Sequence, residues 1–180
     1  LSRVTALAMA LPVLLTAGTV HADAPLPNKL TAEYEVVRGA INLGVIKKTL
    51  SRDGDIYRVS STVEPNPLIK MIAGGEANEE AVFQVTSQGL RSVFYSESRT
   101  GKPSHSVNFD WNKRTLTFEA DGKVTRTIKV PEIDTVDLSS LPFYLMIKPI
   151  KELAGTSIGI VNSKHVGKYT FMKPVAETIE

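Results

Sequence analysis

Three histidines are the side chains best suited to proton or metal chemistry near neutral pH: His21, His105 and His165. His21 stands in the leading apolar segment. His105 and His165 each open a strand-like run, and neither has a His, Asp or Glu partner at metal-ligand spacing. Structural or surface roles are expected for both, and they are the first residues to test if the chain is a hydrolase. Serines are frequent, but neither a G-x-S-x-G elbow nor an S-x-x-K motif occurs. Ala73-Gly74-Gly75 lacks the Lys-Ser/Thr that would complete a phosphate loop. Asp53 and Asp55 flank a hairpin turn and read as turn chemistry. Glu76, Glu79 and Glu80 lie beside an apolar segment, where they would keep it soluble or repel an anionic membrane surface; nothing singles out an acid–base pair among them. Glu132, Asp134 and Asp137 precede a helix and read as capping and dipole partners. Cysteine is absent, which excludes disulfides, thiolate metal sites, cysteine nucleophiles and acylation at a lipobox cysteine. No catalytic residue, metal site or cofactor is expected, and the chain reads as a non-enzyme.

The more pointed group is aromatic. Trp111, the one tryptophan of the chain, sits in Phe109-Asp110-Trp111-Asn112 at a strand end, on the apolar face. A tryptophan there either plugs the core or lines a ligand cavity. In the second case Phe94, Phe109, Phe143 and Tyr144 share the lining, with Leu141 beside them. Small-ligand sites are usually apolar pockets with few polar groups. The candidate ligand-binding set is therefore Phe94, Phe109, Trp111, Leu141, Phe143 and Tyr144.

The elements that must position these residues are mostly strands. Asp53-Gly54, Gln88-Gly89 and Asp121-Gly122 mark hairpin turns, Asp-Gly suiting a type I′ turn. Between turns the apolar residues alternate. Ala32, Tyr34 and Val36 share a face, as do Tyr57, Val59 and Val63, then Val107, Phe109 and Trp111, then Val124, Ile128 and Val130. Period two over many short runs argues an antiparallel sheet with one buried face. Strands are expected over 30–38, 43–51, 54–63, 79–86, 89–98, 104–111, 114–120, 123–130, 157–161 and 165–172, with another from about 175. So long a meander leaves exposed edges unless it curls, so the fold class is mainly β, an antiparallel meander curled into a barrel or half-barrel around one buried helix. That helix is expected within 137–149, N-capped by Asp137 or Ser139 and apolar around most of its circumference. A second interruption, 64–75, reads as a short helix or an apolar flap.

Residues 1–24 carry one positive charge, Arg3, before an apolar run, then small residues up to Ala24. This is the layout of a cleaved secretory signal peptide, and the run is too short to span a bilayer. The expected organisation is 1–24 signal peptide and 25–180 a single β-rich domain, with Pro25-Leu26-Pro27 as an extended leader. Its removal takes one residue of each sign and leaves the net charge of the 180-residue chain at +2. That near balance argues against nucleic acid, whose binders show a basic excess. No later run reaches membrane length, so no transmembrane anchor is expected. Export without cysteine fits a bacterial periplasm.

The residues from about 28 onward resemble the exported bacterial proteins catalogued as domain of unknown function 3108. Tyr34-Glu35-Val36 is followed by Gly39 and Leu43-Gly44, then by Gly54 and Tyr57, then by Gln88-Gly89-Leu90-Arg91 running to Phe94 and Tyr95. The more specific matches are Asn108-Phe109-Asp110-Trp111 and Asp137-Leu138-Ser139-Ser140. The resemblance implies an envelope protein with a curved sheet, similar in outline to periplasmic carriers that wrap a half-barrel around a helix. It transfers no catalytic residue. In the family, further strands follow the one matched by Tyr169-Thr170-Phe171, so closing strands are expected to be missing at Glu180. Two functions follow as expectations. The first is a periplasmic binding or carrier module for a lipid or other apolar small molecule. The alternative is a structural or chaperone-like partner that binds another envelope protein chain.

Overall fold

Alternation of apolar and polar side chains produces eight strands that pair in sequence order. They are β1 (Lys29–Arg38), β2 (Ile41–Asp53), β3 (Ile56–Pro65), β4 (Ala77–Thr86), β5 (Gly89–Arg99), β6 (His105–Asp110), β7 (Thr115–Ala120) and β8 (Lys123–Lys129). The computed structural model describes residues 26–73 and 75–172. The signal peptide read at 1–24 and the strand expected from about 175 lie outside these. Every pair in this sheet is antiparallel. At the β7–β8 turn both Asp121 and Gly122 have positive φ, as a type I′ turn requires. At the β2–β3 turn only Gly54 does.

The chain is mainly β, but the eight strands form an open row: among the described residues β1 and β8 are both edges. Nor does one meander account for the rest. A second sheet has the order β11-β10-β9, built from β9 (Asp134–Asp137), β10 (Ser157–Val161) and β11 (Val166–Thr170). The acidic segment read only as a helix cap is thus partly a strand, and it pairs parallel with β10. Gly159 permits that approach, because a Cβ there would sit 2.8 Å from Thr135 Oγ1.

Three helices are short: α1 (Pro67–Ala73), α2 (Leu141–Ile147) and α3 (Ile150–Leu153). The apolar interruption after β3 therefore contains a helix. The helix expected within 137–149 starts later than its cap residues and is half-covered rather than enclosed. Phe143 and Tyr144 are buried, but Met146 is 60% exposed. Leu26, read as part of a leader, is buried in the core.

The core lies where one face of the large sheet meets α2 and the second sheet. Leu50, Val59, Ala81, Tyr95, Val107 and Phe118 form one cross-strand row of that packed face. Phe83 is fully buried and stacks between Tyr57, at 5.1 Å, and Phe143, at 5.6 Å. At β8 a bulge shifts the register, so Arg126 lies opposite Phe118 and Val124 opposite Glu119. Val124 is accordingly exposed, and the Arg126 guanidinium covers the Phe118 ring at 4.1 Å.

Phe83 joins both layers, so its truncation should leave a cavity that neither side can refill. We expect Phe83→Ala to lose about 3–5 kcal/mol in urea unfolding. A loss within experimental error would show that α2 does not pack there.

Candidate functional site

The second sheet is fastened by buried polar groups. Asp137, at the end of β9, is wholly buried. Its Oδ2 accepts hydrogen bonds from Ser92 Oγ and Ser140 Oγ, each 2.6 Å, and its Oδ1 accepts the Ser140 N–H at 2.8 Å. Its own N–H donates to Ser92 Oγ at 2.9 Å. Burial pushes the Asp137 carboxyl above its ordinary value of 3.8, while the hydrogen bonds from Ser140 and Ser92 pull the other way. A carboxylate and two hydroxyls this close would suit nucleophilic chemistry if a substrate could reach them. Here Ser92, Asp137 and Ser140 are all sealed from solvent. The cluster therefore acts as a fastening.

Beside it a polar row crosses the packed face: Ser61, Glu79, Glu97 and His105 occupy matching positions on β3, β4, β5 and β6. Glu79 accepts from Ser139 Oγ at 2.6 Å, and Glu97 accepts from Ser163 Oγ and from the Tyr95 hydroxyl. Burial and the charges of Glu79, Glu97 and Asp137 raise the Tyr95 pKa and keep that phenol a donor. His105 is half-buried and His165 is exposed; the hydrogen-bond contact of the His165 ring is to Asn162. Among the described residues no group of three His, Asp or Glu side chains is placed to hold a metal ion.

One cleft opens at this row and another beyond it, at the end of the strands away from α2. A groove of about 230 Å³ runs between α1 and the sheet, walled by Val36, Leu43, Ile46, Val63, Pro65 and Ile69. Gly44 forms part of it at φ 146, where a Cβ would stand 2.3 Å from the Glu64 carbonyl oxygen. Next to the groove is a charged cleft of about 390 Å³, with Glu79, Glu97, Arg99, Lys102, His105 and Lys164 around it.

The six aromatic and aliphatic residues singled out from the sequence lie elsewhere. Phe109, Phe143 and Tyr144 are buried in the core and Leu141 packs against it. Trp111 stacks on Phe109 at 6.3 Å, its Nε1 donates to the Ser92 carbonyl at 2.7 Å, and the Arg91 guanidinium lies over its ring. Phe94 is opposite Val82 and Asn108, on the other face of the sheet from Tyr95. Five of the six thus gather at the α2 end of the packed face, and Phe94 does not join them. Tyr144 borders a cleft, where its hydroxyl donates to Asp134 at 2.8 Å and Lys148 pairs with the same carboxylate. What the sequence reading missed is the groove itself. Its signal was present in the apolar alternation of β1–β3, which continues past the last residue that the core covers.

A family model described as "Protein of unknown function (DUF3108)" matches residues 33–180. No curated protein and no solved structure matches the chain. The two most specific resemblances now have physical roles. Phe109 is core, Asp110 Oδ1 accepts the Lys113 N–H to form the turn, and Trp111 clamps β5. In the second motif, Asp137, Ser139 and Ser140 fasten β9 to β4 and β5.

The raised pKa of Asp137 sets the sign of a pH effect. A carboxyl whose folded pKa exceeds its unfolded one stabilises the fold fully below the unfolded value and loses that contribution as pH rises through the folded value. The stability advantage of the parent over Asp137→Asn should therefore shrink as pH rises from 3.8. Urea unfolding of both proteins across a pH series, followed by Trp111 emission, measures it; an advantage that grows with pH would contradict the assignment.

Proposed function

The chain belongs to the DUF3108 family, and for this member we propose a binding or carrier role for a lipophilic ligand, without catalysis, after export to the periplasm. The observation that carries this reading is the apolar groove between α1 and the packed face of β1–β3. Its walls are side chains that the core does not use, and water in contact with them is released when an apolar chain takes its place. Exposed apolar residues continue outward from it, with Met71 85%, Leu68 72% and Tyr34 53% exposed. Surfaces of this kind on soluble domains mark ligand grooves and interaction sites. In this reading α1 is the lid, and the large sheet is the wall of a half-barrel. Among the described residues no helix is long and apolar enough to cross a membrane.

One observation favours the second reading, a partner chain from the envelope. Among the described residues β1 pairs on one side only, so its outer edge offers unpaired backbone groups to an added strand. Crosslinking from β1 in cells tests it: recovery of an envelope protein supports strand addition, and recovery of none argues against it.

The neutral fluorophore N-phenyl-1-naphthylamine tests the groove. Saturable binding is expected. Ile69→Asp should weaken it by about tenfold or more, because an apolar ligand would then have to strip water from a carboxylate on the groove wall. No saturable binding, or equal affinity in the variant, would remove the groove as the site.

A further inference from the structure

We propose that the ligand is a single-chain amphiphile with an anionic head, its alkyl chain in the apolar groove and its head in the charged cleft alongside. This rests on the groove reading above and names the ligand class. The two clefts are not separate. Ala77 and Arg99 face each other across β4 and β5 and line both. Arg99 thus stands where the apolar wall ends and the charged one begins. The groove alone falls below the roughly 300–1,000 Å³ usual for small-ligand sites; joined to the cleft it falls within that range.

Charge selects the head. Arg99, Lys102 and Lys164 border the cleft and are exposed, and none forms an ion pair among the described residues. The opposing carboxylates are Glu79 and Glu97, one fewer than the cations, and both accept hydrogen bonds from hydroxyls. Ser139 donates to Glu79; Ser163 and Tyr95 donate to Glu97. The cleft therefore offers three uncommitted cations around two carboxylates already held by hydroxyls. A guanidinium matches the paired oxygens of a phosphate or carboxylate, and Arg99 is placed where such a head would emerge from the groove. His105 borders the same cleft and adds a ring nitrogen beside the head. A quaternary ammonium head would meet Arg99 first and be repelled.

The experiment is displacement of N-phenyl-1-naphthylamine from the chain by four ligands of one chain length, each below its micelle concentration. They are dodecyl phosphate, dodecanoate, dodecanol and dodecyltrimethylammonium. The two anions should displace the probe at about tenfold lower concentration than the alcohol, as charge-assisted hydrogen bonding provides. Added salt should narrow that ratio. In the variant R99A/K102A/K164A the ratio of anion to alcohol, read within the one protein, should fall to near unity, so a general loss of affinity cancels. Tighter binding of dodecyl phosphate would identify a phosphate head, and of dodecanoate a carboxylate one; either supports the proposal. Equal displacement by dodecanol and the anions would overturn it and leave the groove standing. Preference for dodecyltrimethylammonium, or an unchanged ratio in the triple variant, would overturn it as well. Failure of the neutral probe to bind would instead remove the groove reading, and this proposal with it.

Discussion

Four hydrogen bonds at one buried aspartate decide how this chain is assembled. Asp137 accepts three and, through its N–H, donates the fourth; the two shared with Ser92 join β9 to β5 across 45 residues of sequence. Leaving a buried polar group of this kind unpaired costs about 1–3 kcal/mol, and more when it is charged. All of its partners must therefore be in place together. Ser92 bonds Asp137 through its hydroxyl and accepts Trp111 through its carbonyl. Ser140 lies at the start of α2, so the same node fixes where Phe143 meets Phe83. Ser139 carries the attachment one strand further, to Glu79.

That fastening divides the packed face. At the α2 end, aromatic rings fill the space between the layers. Across the middle runs the polar row of Ser61, Glu79, Glu97 and His105, with serine hydroxyls from the segments that follow β9 and β10 against both glutamates. Past this row, nothing among the described residues covers Ile46, Val63 and their neighbours except α1. The apolar surface left there is a consequence of where the polar row stops the core. Its position next to uncommitted cations gives the site an apolar end and a charged end.

Much of the fold was legible in the sequence, because a half-buried antiparallel strand writes its face into every second residue. The eight strands of the large sheet and β10 and β11 fall close to their expected spans. β9 was not legible. Four residues, Asp134–Asp137, are too few to display a period, and their acidic ends read as helix caps. Parallel pairing with β10 leaves no turn signal to read. Val124 and Phe94 were misplaced for one physical reason: bulges at β7–β8 and β4–β5 change register within a strand, and alternation cannot see them. The site was less legible still. Glu79 and Asp137 looked like ordinary surface and capping acids, because their partners lie 60 and 45 residues away. The aromatic residues looked like a cavity lining because composition does not tell a filled core from an empty one.

Two places on one sheet face are thus the alternatives for the proposed ligand: the aromatic end that composition favours and the groove that the packing leaves open. Amide chemical-shift mapping with dodecyl phosphate separates them directly. Shifts should concentrate at Ile46, Val63, Ala77 and Arg99 and leave the Trp111 indole N–H unmoved. Shifts gathered around Phe109, Trp111, Leu141 and Phe143, with Ala77 and Arg99 silent, would contradict it.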